Sequence, residues 1–344
     1  MIDLRSDTLT MPDEEMLKSI LSAPLGDDGR LGPDGRGEDA TINRLEDMAA
    51  EITGKEAALL CCSGTMGNQV ALMTWCNPGD KVIIDELQHL YRSEKTAFDD
   101  RFTRLRPVFY HLDKDCMPDP EELESLMKEG ASLLCVENTH NFTGGTCTTP
   151  ERMAEIRTLA DRWHVPVHMD GARLFNAAAF LGVPVKELCQ YADSVMFCVS
   201  KGLAAPVGSL LCGSREFIRK AKGVRKLLGG ALRQGGIIAA PAIYALEHNV
   251  DRLKEDNENA AICAAHMAGL KNIHLQDHVQ TNILMLDLKD AALSPEAFCE
   301  RAKEEGLLIR PILDTSVRLV FYKGITREDV VKAAEIVCRL DEEC

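Results

Sequence analysis

The sequence predicts an α/β protein with a large, mostly parallel sheet and a smaller C-terminal α+β domain. Up to about residue 200, short apolar runs alternate with amphipathic helical stretches, which is typical of strand–helix–strand units. From about residue 250 the order becomes helix, strand, helix, two strands and helix, which favours a separate α+β unit. We therefore expect a large domain over residues 1–248, including an N-terminal arm, and a small domain over residues 249–344.

The composition indicates which classes of binding partner and which cellular compartment to expect. The 344 residues include 39 Lys and Arg against 54 Asp and Glu, a net charge of −15 at pH 7. This excess of acid argues against nucleic acid or an anionic membrane as a partner, because both are polyanions. No apolar run reaches the length of a membrane span. The thirteen cysteines form no C-x-x-C pair and no signal peptide is recognisable, so we expect reduced thiols in a cytoplasmic protein.

The first forty residues are polar and rich in glycine. The charged stretch 26–39 predicts a loop, which is either a mobile surface loop or a loop that contacts the active site or another subunit. A helix with one apolar face is expected to begin at about Thr41.

A strand at 57–62, a turn at 63–68 and a helix from Gln69 form the first strand–turn–helix unit. This arrangement presents backbone N–H groups and the positive end of a helix dipole to an anion, and Ser63 and Thr65 add hydroxyl groups. The alternative is an ordinary helix N-cap. The chain has neither a P-loop nor a strand-linked G-x-G-x-x-G, so nucleoside triphosphates and dinucleotides lack their fingerprints.

Polar side chains follow the next strands at the points where those strands end. The strands are expected at 81–85, 108–112, 132–136, 165–169 and 194–199, with a helix at 150–163. His89 and the stretches 137–141 and 170–173 come shortly after three of them. The carboxyl ends of parallel strands share one edge of a sheet, where α/β folds bind ligands. This shared edge favours a functional role for His89 and His140 over the alternative of structural histidines.

Lys201 follows the last of these runs and would lie at the same edge. A desolvated lysine loses its proton more readily and becomes a nucleophilic amine, although an arbitrary lysine is usually solvated. A phosphate-binding turn at Gly64, a carboxylate at Asp170 and an amine at Lys201 are what a phosphorylated aromatic aldehyde needs for its phosphate, ring nitrogen and aldehyde. The sequence therefore predicts pyridoxal 5′-phosphate as the cofactor, bound to Lys201 as a Schiff base.

The rest of the chain adds a basic segment and the small domain. Residues 225–236 hold three cations and four glycines and predict a loop, either solvated or reaching a phosphate. Arg318 lies within an expected strand, where an arginine needs a partner or a ligand. His274 and His278 have i, i+4 spacing but lie in an expected loop, so no metal site is expected. The elements expected here are a long helix at 239–257, strands at 280–288, 307–312 and 317–322, and helices at 295–305 and 327–340.

The chain also resembles the low-specificity threonine aldolases of the β-eliminating lyase and aspartate aminotransferase (fold type I) superfamily, over nearly its whole length. The motifs that carry the resemblance are IDLRSDT at 2–8, GED at 37–39, SGTMGNQ at 63–69, ENTHN at 137–141, HMDGARLFN at 168–176, SKGL at 200–203 and APVGS at 205–209. The resemblance implies a large domain with a seven-stranded sheet, pyridoxal 5′-phosphate, a small-molecule amino acid as substrate, and a homotetramer built from two dimers.

The resemblance also implies roles for single residues. The catalytic residues would be Lys201, His89, His140 and Asp170. The cofactor-binding residues would be Ser63, Gly64, Thr65, His89, Asp170, Arg173, Lys201 and Arg233. The substrate-binding residues would be Ser6, Arg173, Lys226 and Arg318. Within these sets, Asp170 would face the pyridine nitrogen, His89 would stack on the ring, and Lys226 and Arg233 would come from a neighbouring subunit.

The expected reaction is cleavage of a β-hydroxy-α-amino acid to glycine and an aldehyde. His140, directly or through a water molecule, is a candidate base for the β-hydroxyl proton. A lyase that eliminates a β-substituent from another amino acid is the alternative within the same fold. A binding protein that keeps the fold without the activity is a third hypothesis, against which the intact set of Lys201, Asp170 and residues 63–65 argues.

Three departures from the family pattern lie near the expected substrate side-chain pocket or subunit contact. Residues 29–36 fill a gap that is usually shorter and holds a tyrosine, residues 95–96 replace two glycines, and residues 319–322 stand where a Thr-His pair is usual. The first two departures add cations. These would favour an acidic substrate side chain if they line the pocket, and the alternative is that they are solvated surface charges.

Overall fold

Thirteen strands and twelve α-helices make up the part of the chain, residues 1–343, that the computed structural model describes. The strands are β1 (Ile2–Asp3), β2 (Ala57–Cys61), β3 (Lys81–Asp85), β4 (Arg106–Tyr110), β5 (Leu133–Glu137), β6 (Val167–Asp170), β7 (Ser194–Cys198), β8 (Ser209–Gly213), β9 (His274–Leu275), β10 (Ile283–Asp287), β11 (Leu307–Leu308), β12 (Arg310–Pro311) and β13 (Ser316–Val320). The helices are α1 (Glu14–Lys18), α2 (Ala40–Thr53), α3 (Gly64–Trp75), α4 (Pro120–Lys128), α5 (Pro150–Trp163), α6 (Leu174–Leu181), α7 (Val185–Cys189), α8 (Arg215–Leu227), α9 (Gly236–His248), α10 (Leu253–His266), α11 (Pro295–Glu304) and α12 (Arg327–Asp341).

The central sheet has seven strands in the order β2–β8–β7–β6–β5–β3–β4. β3 pairs in parallel with β4 and β5, β5 with β6, and β6 with β7. β8 lies antiparallel between β2 and β7, so β2 runs in the same direction as β7. All strands except β8 therefore end at one edge, which confirms the expected mostly parallel, seven-stranded sheet.

Helices cover both faces of this sheet, which explains why its strands are continuous apolar runs. Leu60 on β2 and Phe197 on β7 pack in one core with α2 and α9. The preceding residues of the same strands, Leu59 and Met196, pack in a second core with α3 and α8. Strand β8 was not expected from the sequence. It enters the sheet without a crossover helix, so it must run back along its neighbour.

The second sheet is antiparallel, with the order β12–β13–β10–β9. It packs against α10, α11 and α12 in a core that contains Phe298, Phe321 and Ile336. The N-terminus also belongs to this core, because β1 pairs in parallel with β11 and Ile2 and Leu4 pack there. The smaller α+β unit is thus confirmed, and the domain boundary at 248/249 stays a prediction.

The single helix expected over 239–257 is wrong, because α9 ends at His248 and α10 begins at Leu253. Asn249 lies at the break, and its backbone N–H donates to the carbonyl oxygen of Ala245. Its side-chain amide donates to the carbonyl oxygen of Leu203 at 2.8 Å. The break between the helices is therefore tied to the loop that follows Lys201.

The loop expected over 225–236 is also wrong at both ends. Residues 225–227 form the last turn of α8, because Arg225 continues a buried face that begins at Phe217, and α9 already begins at Gly236. Arg225 is buried, pairs with Asp28 and donates to the carbonyl oxygen of Leu60 at 2.6 Å. The positive charge of Arg225 is therefore neutralised by Asp28 within the fold.

Among residues 1–343, no helix has both the length and the apolarity needed to cross a bilayer. The twelve cysteines in the same range are free thiols.

Candidate active site

The functional groups predicted from the sequence lie at the edge where the parallel strands end. Asp170 is the last residue of β6, and His89, His140 and Lys201 follow β3, β5 and β7. Side-chain ligand atoms of His89, Glu94 and Asp170 lie within 4.8 Å of one another. Because these four strands are neighbours, the fold brings together side chains that are far apart in the chain.

Asp170 is buried and held by hydrogen bonds to both of its oxygens. Oδ2 accepts from Nδ2 of Asn68 at 2.9 Å, and Oδ1 accepts from the backbone N–H of Ala172 at 3.1 Å. Oδ1 of Asn68 lies 3.2 Å from Nε2 of His168, and Nδ1 of His168 lies 2.9 Å from Oγ of Ser194. Burial lowers the pKa of His168 to about 4, so this ring is neutral at pH 7. These contacts fix the orientation of the Asp170 carboxylate, as an anchor for a cationic ring nitrogen requires.

His89 lies beside Asp170 and is oriented by Glu94. Nδ1 of His89 is 3.3 Å from Oε1 of Glu94, which also accepts from Nδ2 of Asn68 at 3.1 Å, while its Oε2 accepts from Nε2 of Gln69 at 3.0 Å. Burial opposes a charge on the ring, but the hydrogen bond to Glu94 and the nearby carboxylates raise the pKa of His89. A ring held next to Asp170 in this way can stack on an aromatic cofactor.

Lys201 is half-buried in a tight turn after β7. The backbone N–H of Ala204 donates to the carbonyl oxygen of Lys201 at 2.8 Å. At Gly202 a Cβ would lie 2.8 Å from Cδ2 of Leu253, so any larger residue there would force the Leu253 side chain at the start of α10 to move. Burial raises the pKa of the Cys198 thiol, and the charge of Lys201 partly opposes this rise. The Lys201 amine is therefore close enough to Cys198, the last residue of β7, to influence it electrostatically.

The predicted anion cradle is the N-terminus of α3. Oγ of Ser63 accepts from the backbone N–H of Met66 at 3.1 Å, which is the N-cap that the sequence left as an alternative. Gly64 and Thr65 form the first turn, where backbone N–H groups lack partners within the helix. A Cβ at Gly64 would lie 2.8 Å from Sγ of Cys198, so glycine lets α3 approach β7. The N-cap role of Ser63 is therefore compatible with anion binding by the first turn of α3.

Two buried arginines near the site differ in their partners. Arg173 forms a two-bond ion pair with Asp7, with Nε to Oδ2 at 2.6 Å and Nη2 to Oδ1 at 2.7 Å. Arg318 donates from Nη1 to Oδ1 of Asn141 at 2.6 Å, and its buried Nε has no hydrogen-bond partner within residues 1–343. Burial, and then repulsion from Arg173 and Arg310, lower the pKa of Arg318. A buried cation without a counter-ion is a suitable position for the carboxylate of a ligand.

Comparison with known proteins assigns the site to a family. A family model described as β-eliminating lyase matches residues 3–291. The chain is 38% identical to low-specificity L-threonine aldolase 1 of Arabidopsis thaliana, over 96% of this chain and 93% of that protein. It is 39% identical to the low specificity L-threonine aldolase of Escherichia coli (strain K12), over 97% of each. The chain belongs to the threonine aldolase family.

The threonine aldolase assignment agrees with the fold and with the cofactor expected from the sequence. The structure superposes on a threonine aldolase of Leishmania major with a TM-score of 0.79 at 17% identity, over 99% of this chain and 100% of that one. The chain is a pyridoxal-phosphate-dependent lyase. The residues present fit this cofactor, because the fixed Asp170 carboxylate, the His89 ring and Lys201 share one sheet edge with the open first turn of α3.

Two basic residues that the threonine aldolase resemblance places at the site lie elsewhere in the single chain. Arg233 is 70% exposed and pairs with Asp27. Lys226 is exposed on the last turn of α8 and lines a cavity of about 720 Å³ between α2 and α8. No residue of the cluster formed by His89, Glu94 and Asp170 lines that cavity. The roles of Lys226 and Arg233 in a neighbouring subunit stay predictions.

Ser6 and Arg173 have partners of their own. Oγ of Ser6 accepts from the backbone N–H of Thr8 at 3.2 Å and from its hydroxyl at 2.9 Å. The charge of Arg173 is matched by Asp7, so Arg318 is the arginine whose charge is available to a substrate. The substrate- and cofactor-binding roles of Ser6 and Arg173 stay predictions.

Two of the cations in the first two departures from the threonine aldolase pattern, Arg36 and Lys95, lie at cavities that neither His89 nor Asp170 lines. Within the segment 29–36, Arg36 pairs with Asp47 on α2 at 2.9 Å, and the segment lines the same cavity as Lys226. Lys95 is exposed and lines a separate cavity of about 520 Å³ with Glu86. This placement favours the alternative of surface charge over a substrate-facing role.

Proposed function

We propose that the protein cleaves β-hydroxy-α-amino acids such as threonine to glycine and an aldehyde. The observation that carries the proposal is the fixed Asp170 carboxylate beside His89, at the same sheet edge as Lys201, in a chain 39% identical to a protein named as a threonine aldolase. Bound pyridoxal 5′-phosphate supplies an electron sink for the pair released when the Cα–Cβ bond breaks.

The cofactor would be held by four groups. Lys201 binds its aldehyde, Asp170 accepts a hydrogen bond from its protonated ring nitrogen, and His89 packs on the ring face. The backbone N–H groups of Gly64 and Thr65 donate to its phosphate, with the hydroxyl of Ser63 nearby.

The substrate would be held at its carboxylate and at its hydroxyl. Arg318 binds the carboxylate, because its guanidinium has an unused donor and no ion-pair partner within residues 1–343. Arg173 sits beside it and shares Asn141 as an acceptor, at 3.2 Å from Nη1. Ser6 adds a hydroxyl donor, and His140 takes up the hydroxyl end of the substrate.

One assay separates cleavage from the β-elimination that the family model's description leaves open. With L-threonine, cleavage releases glycine and acetaldehyde, whereas elimination releases 2-oxobutanoate and ammonia. We expect acetaldehyde, detected by NADH oxidation with alcohol dehydrogenase, in equal amount to glycine. Formation of 2-oxobutanoate without glycine would replace the aldolase with an eliminating lyase, and an absence of the cofactor's absorbance band would favour the binding-protein hypothesis.

The proposal includes a homotetramer of two dimers in the cytoplasm, with Lys226 and Arg233 acting in the neighbouring subunit. The exposure of apolar side chains near these residues supports a subunit contact, since Leu227 is 87% and Ile237 47% exposed. The free cysteines support a reducing compartment. Light scattering coupled to size-exclusion chromatography should give four times the chain mass, and an active monomer would contradict the assembly.

A further inference from the structure

His140 is held by a buried carboxylate to which the sequence assigned no role. His140 follows β5, and Asp85 is the last residue of the neighbouring strand β3. Nε2 of His140 lies 2.7 Å from Oδ2 of Asp85, and the two side chains are only 4% and 6% exposed. The other ring nitrogen, Nδ1, is buried and has no hydrogen-bond partner among the described residues.

This contact determines where the ring carries its proton. A carboxylate only accepts, so the nitrogen that faces Asp85 must be the N–H donor. When the His140 ring is neutral, Nδ1 therefore keeps its lone pair and is the acceptor. A buried acceptor without a partner is uncommon in proteins and is expected where a bound ligand completes the contact.

We propose that Asp85 is a positioning residue of the reaction, which holds His140 so that its Nδ1 takes the proton of the substrate's β-hydroxyl group. The inference rests on the proposed aldolase function. As Nδ1 binds the hydroxyl proton, the O–H electron pair becomes the second bond of the aldehyde C=O. The Cα–Cβ bond breaks, and its electron pair stays with Cα, where a proton later completes glycine.

The groups around His140 support a ring that gains a proton during the step. Asp85 faces it from β3 and Glu137 from the end of β5, with Oε2 3.9 Å from Nε2, and the charge of Asp170 on β6 also acts on the ring. Tyr110 on β4 lies beyond Asp85. Burial opposes a charge on the ring, but Glu137 and Asp85 together raise the pKa of His140.

Asp85 rather than Glu137 fixes the tautomer, because its Oδ2 lies 2.7 Å from Nε2 of His140 while Oε2 of Glu137 lies 3.9 Å away. The oxygens of Glu137 accept instead from the backbone N–H groups of His89 at 2.8 Å and Asn141 at 2.9 Å. Asp85 uses Oδ1 for the backbone N–H of Leu87 at 3.0 Å and leaves Oδ2 for the ring.

The variant Asp85→Asn tests this geometry directly. The N–H of Leu87 still needs an acceptor, so the amide oxygen takes that position and the amide NH2 faces Nε2 of His140. Nε2 must then accept, the ring proton moves to Nδ1, and the base is lost. We expect kcat for threonine cleavage by the holoenzyme to fall about 100-fold, within the range of general base catalysis.

The control reaction is exchange of the α-proton of glycine with solvent deuterium, which needs Lys201 and the cofactor but no β-hydroxyl base. Asp85→Asn should change this exchange less than about threefold if only the base is lost. The conservative variant Asp85→Glu should retain part of the cleavage. The matched control is Glu122→Gln, which alters a half-buried carboxylate 2.8 Å from Nδ1 of the exposed His111 and should leave both reactions unchanged.

The variant His140→Asn separates this inference from the proposed function. It should lose cleavage as Asp85→Asn does, and the double variant should lose no more than either single one. Cleavage that survives in His140→Asn would overturn the inference while leaving the aldolase in place. Equal losses of cleavage and glycine exchange in Asp85→Asn would reduce Asp85 to a structural role. If the wild type forms no glycine from threonine, the proposed function itself fails.

Discussion

The two buried arginines of the site should respond in opposite ways to the same substitution. Arg318→Met removes a buried cation that has no carboxylate partner within residues 1–343 and whose pKa is lowered by burial and by Arg173. Because the pKa of Arg318 is lower in the folded protein than in the unfolded chain, its positive charge destabilises the fold at every pH below the folded-state pKa. This range includes pH 5 to 8. Replacing such a charge with an apolar side chain of similar volume should leave the free energy of unfolding unchanged or raise it by about 1 kcal/mol.

The matched control is Arg173→Met, which leaves a buried carboxylate behind. Asp7 is fully buried and loses both bonds of its ion pair, keeping only the amide of Asn282 at 3.2 Å. Removing one partner of a buried ion pair costs about 3–5 kcal/mol. Thermal and denaturant unfolding of the two holoenzymes should therefore show a lower free energy of unfolding than the wild type for Arg173→Met, and an equal or higher one for Arg318→Met.

Activity supplies the second half of this test. If Arg318 binds the substrate carboxylate, Arg318→Met removes charge-assisted hydrogen bonds worth about 1.5–3 kcal/mol. At 1.4 kcal/mol per factor of ten, kcat/KM for L-threonine should fall roughly 10- to 150-fold in a protein that is no less stable. A variant that is as destabilised as Arg173→Met but keeps its kcat/KM would refute the reasoning, since Arg318 would then be a structural residue.

Three further substitutions test the cofactor site and the departures. Lys201→Ala should abolish the borohydride-trapped cofactor and nearly all turnover, and a cofactor-modified peptide at another lysine would contradict the assignment. Asp170→Asn should still bind cofactor but lose most activity, because an amide does not keep the ring nitrogen protonated; a rate near that of the wild type would remove this role. Lys95→Gly should leave the specificity ratio of β-hydroxyaspartate to threonine unchanged and stabilise the fold by about 1 kcal/mol, because Lys95 has φ +57°. A changed ratio would place Lys95 at the substrate.

The position of the site could be predicted because it depends on strand direction alone. Once β3, β5, β6 and β7 are parallel, the residues that follow them must share an edge, so His89, His140, Asp170 and Lys201 are found by reading strand ends. His168 also had a usable signal. It is a polar residue in a buried strand, two positions before Asp170 and therefore on the same face of β6.

The pairing of side chains within the site could not be predicted in the same way. Arg173 and Asp7 are 166 residues apart, and their ion pair joins the N-terminal segment that follows β1 to the segment that follows β6. Likewise, the break at Asn249 depends on a carbonyl group in the loop after Lys201. Both are contacts between distant segments, which local patterns of apolar residues do not encode.

The charges at the sheet edge lead us to a final prediction, for the pH dependence of threonine cleavage. The carboxylates of Asp85, Glu137 and Asp170 surround His140, and together they outweigh the effect of burial and raise its pKa. A base must be neutral, so cleavage should decline on the acid side with a midpoint above the ordinary histidine value of about 6.5. Asp85→Asn should move the midpoint of any remaining activity to lower pH, because one of these charges is gone. A wild-type midpoint at or below pH 6.5 in kcat for threonine cleavage would contradict this prediction. It would mean either that burial dominates the pKa of His140 or that another group is the base. If another group is the base, the pH profile of His140→Asn should show the same midpoint as the wild type.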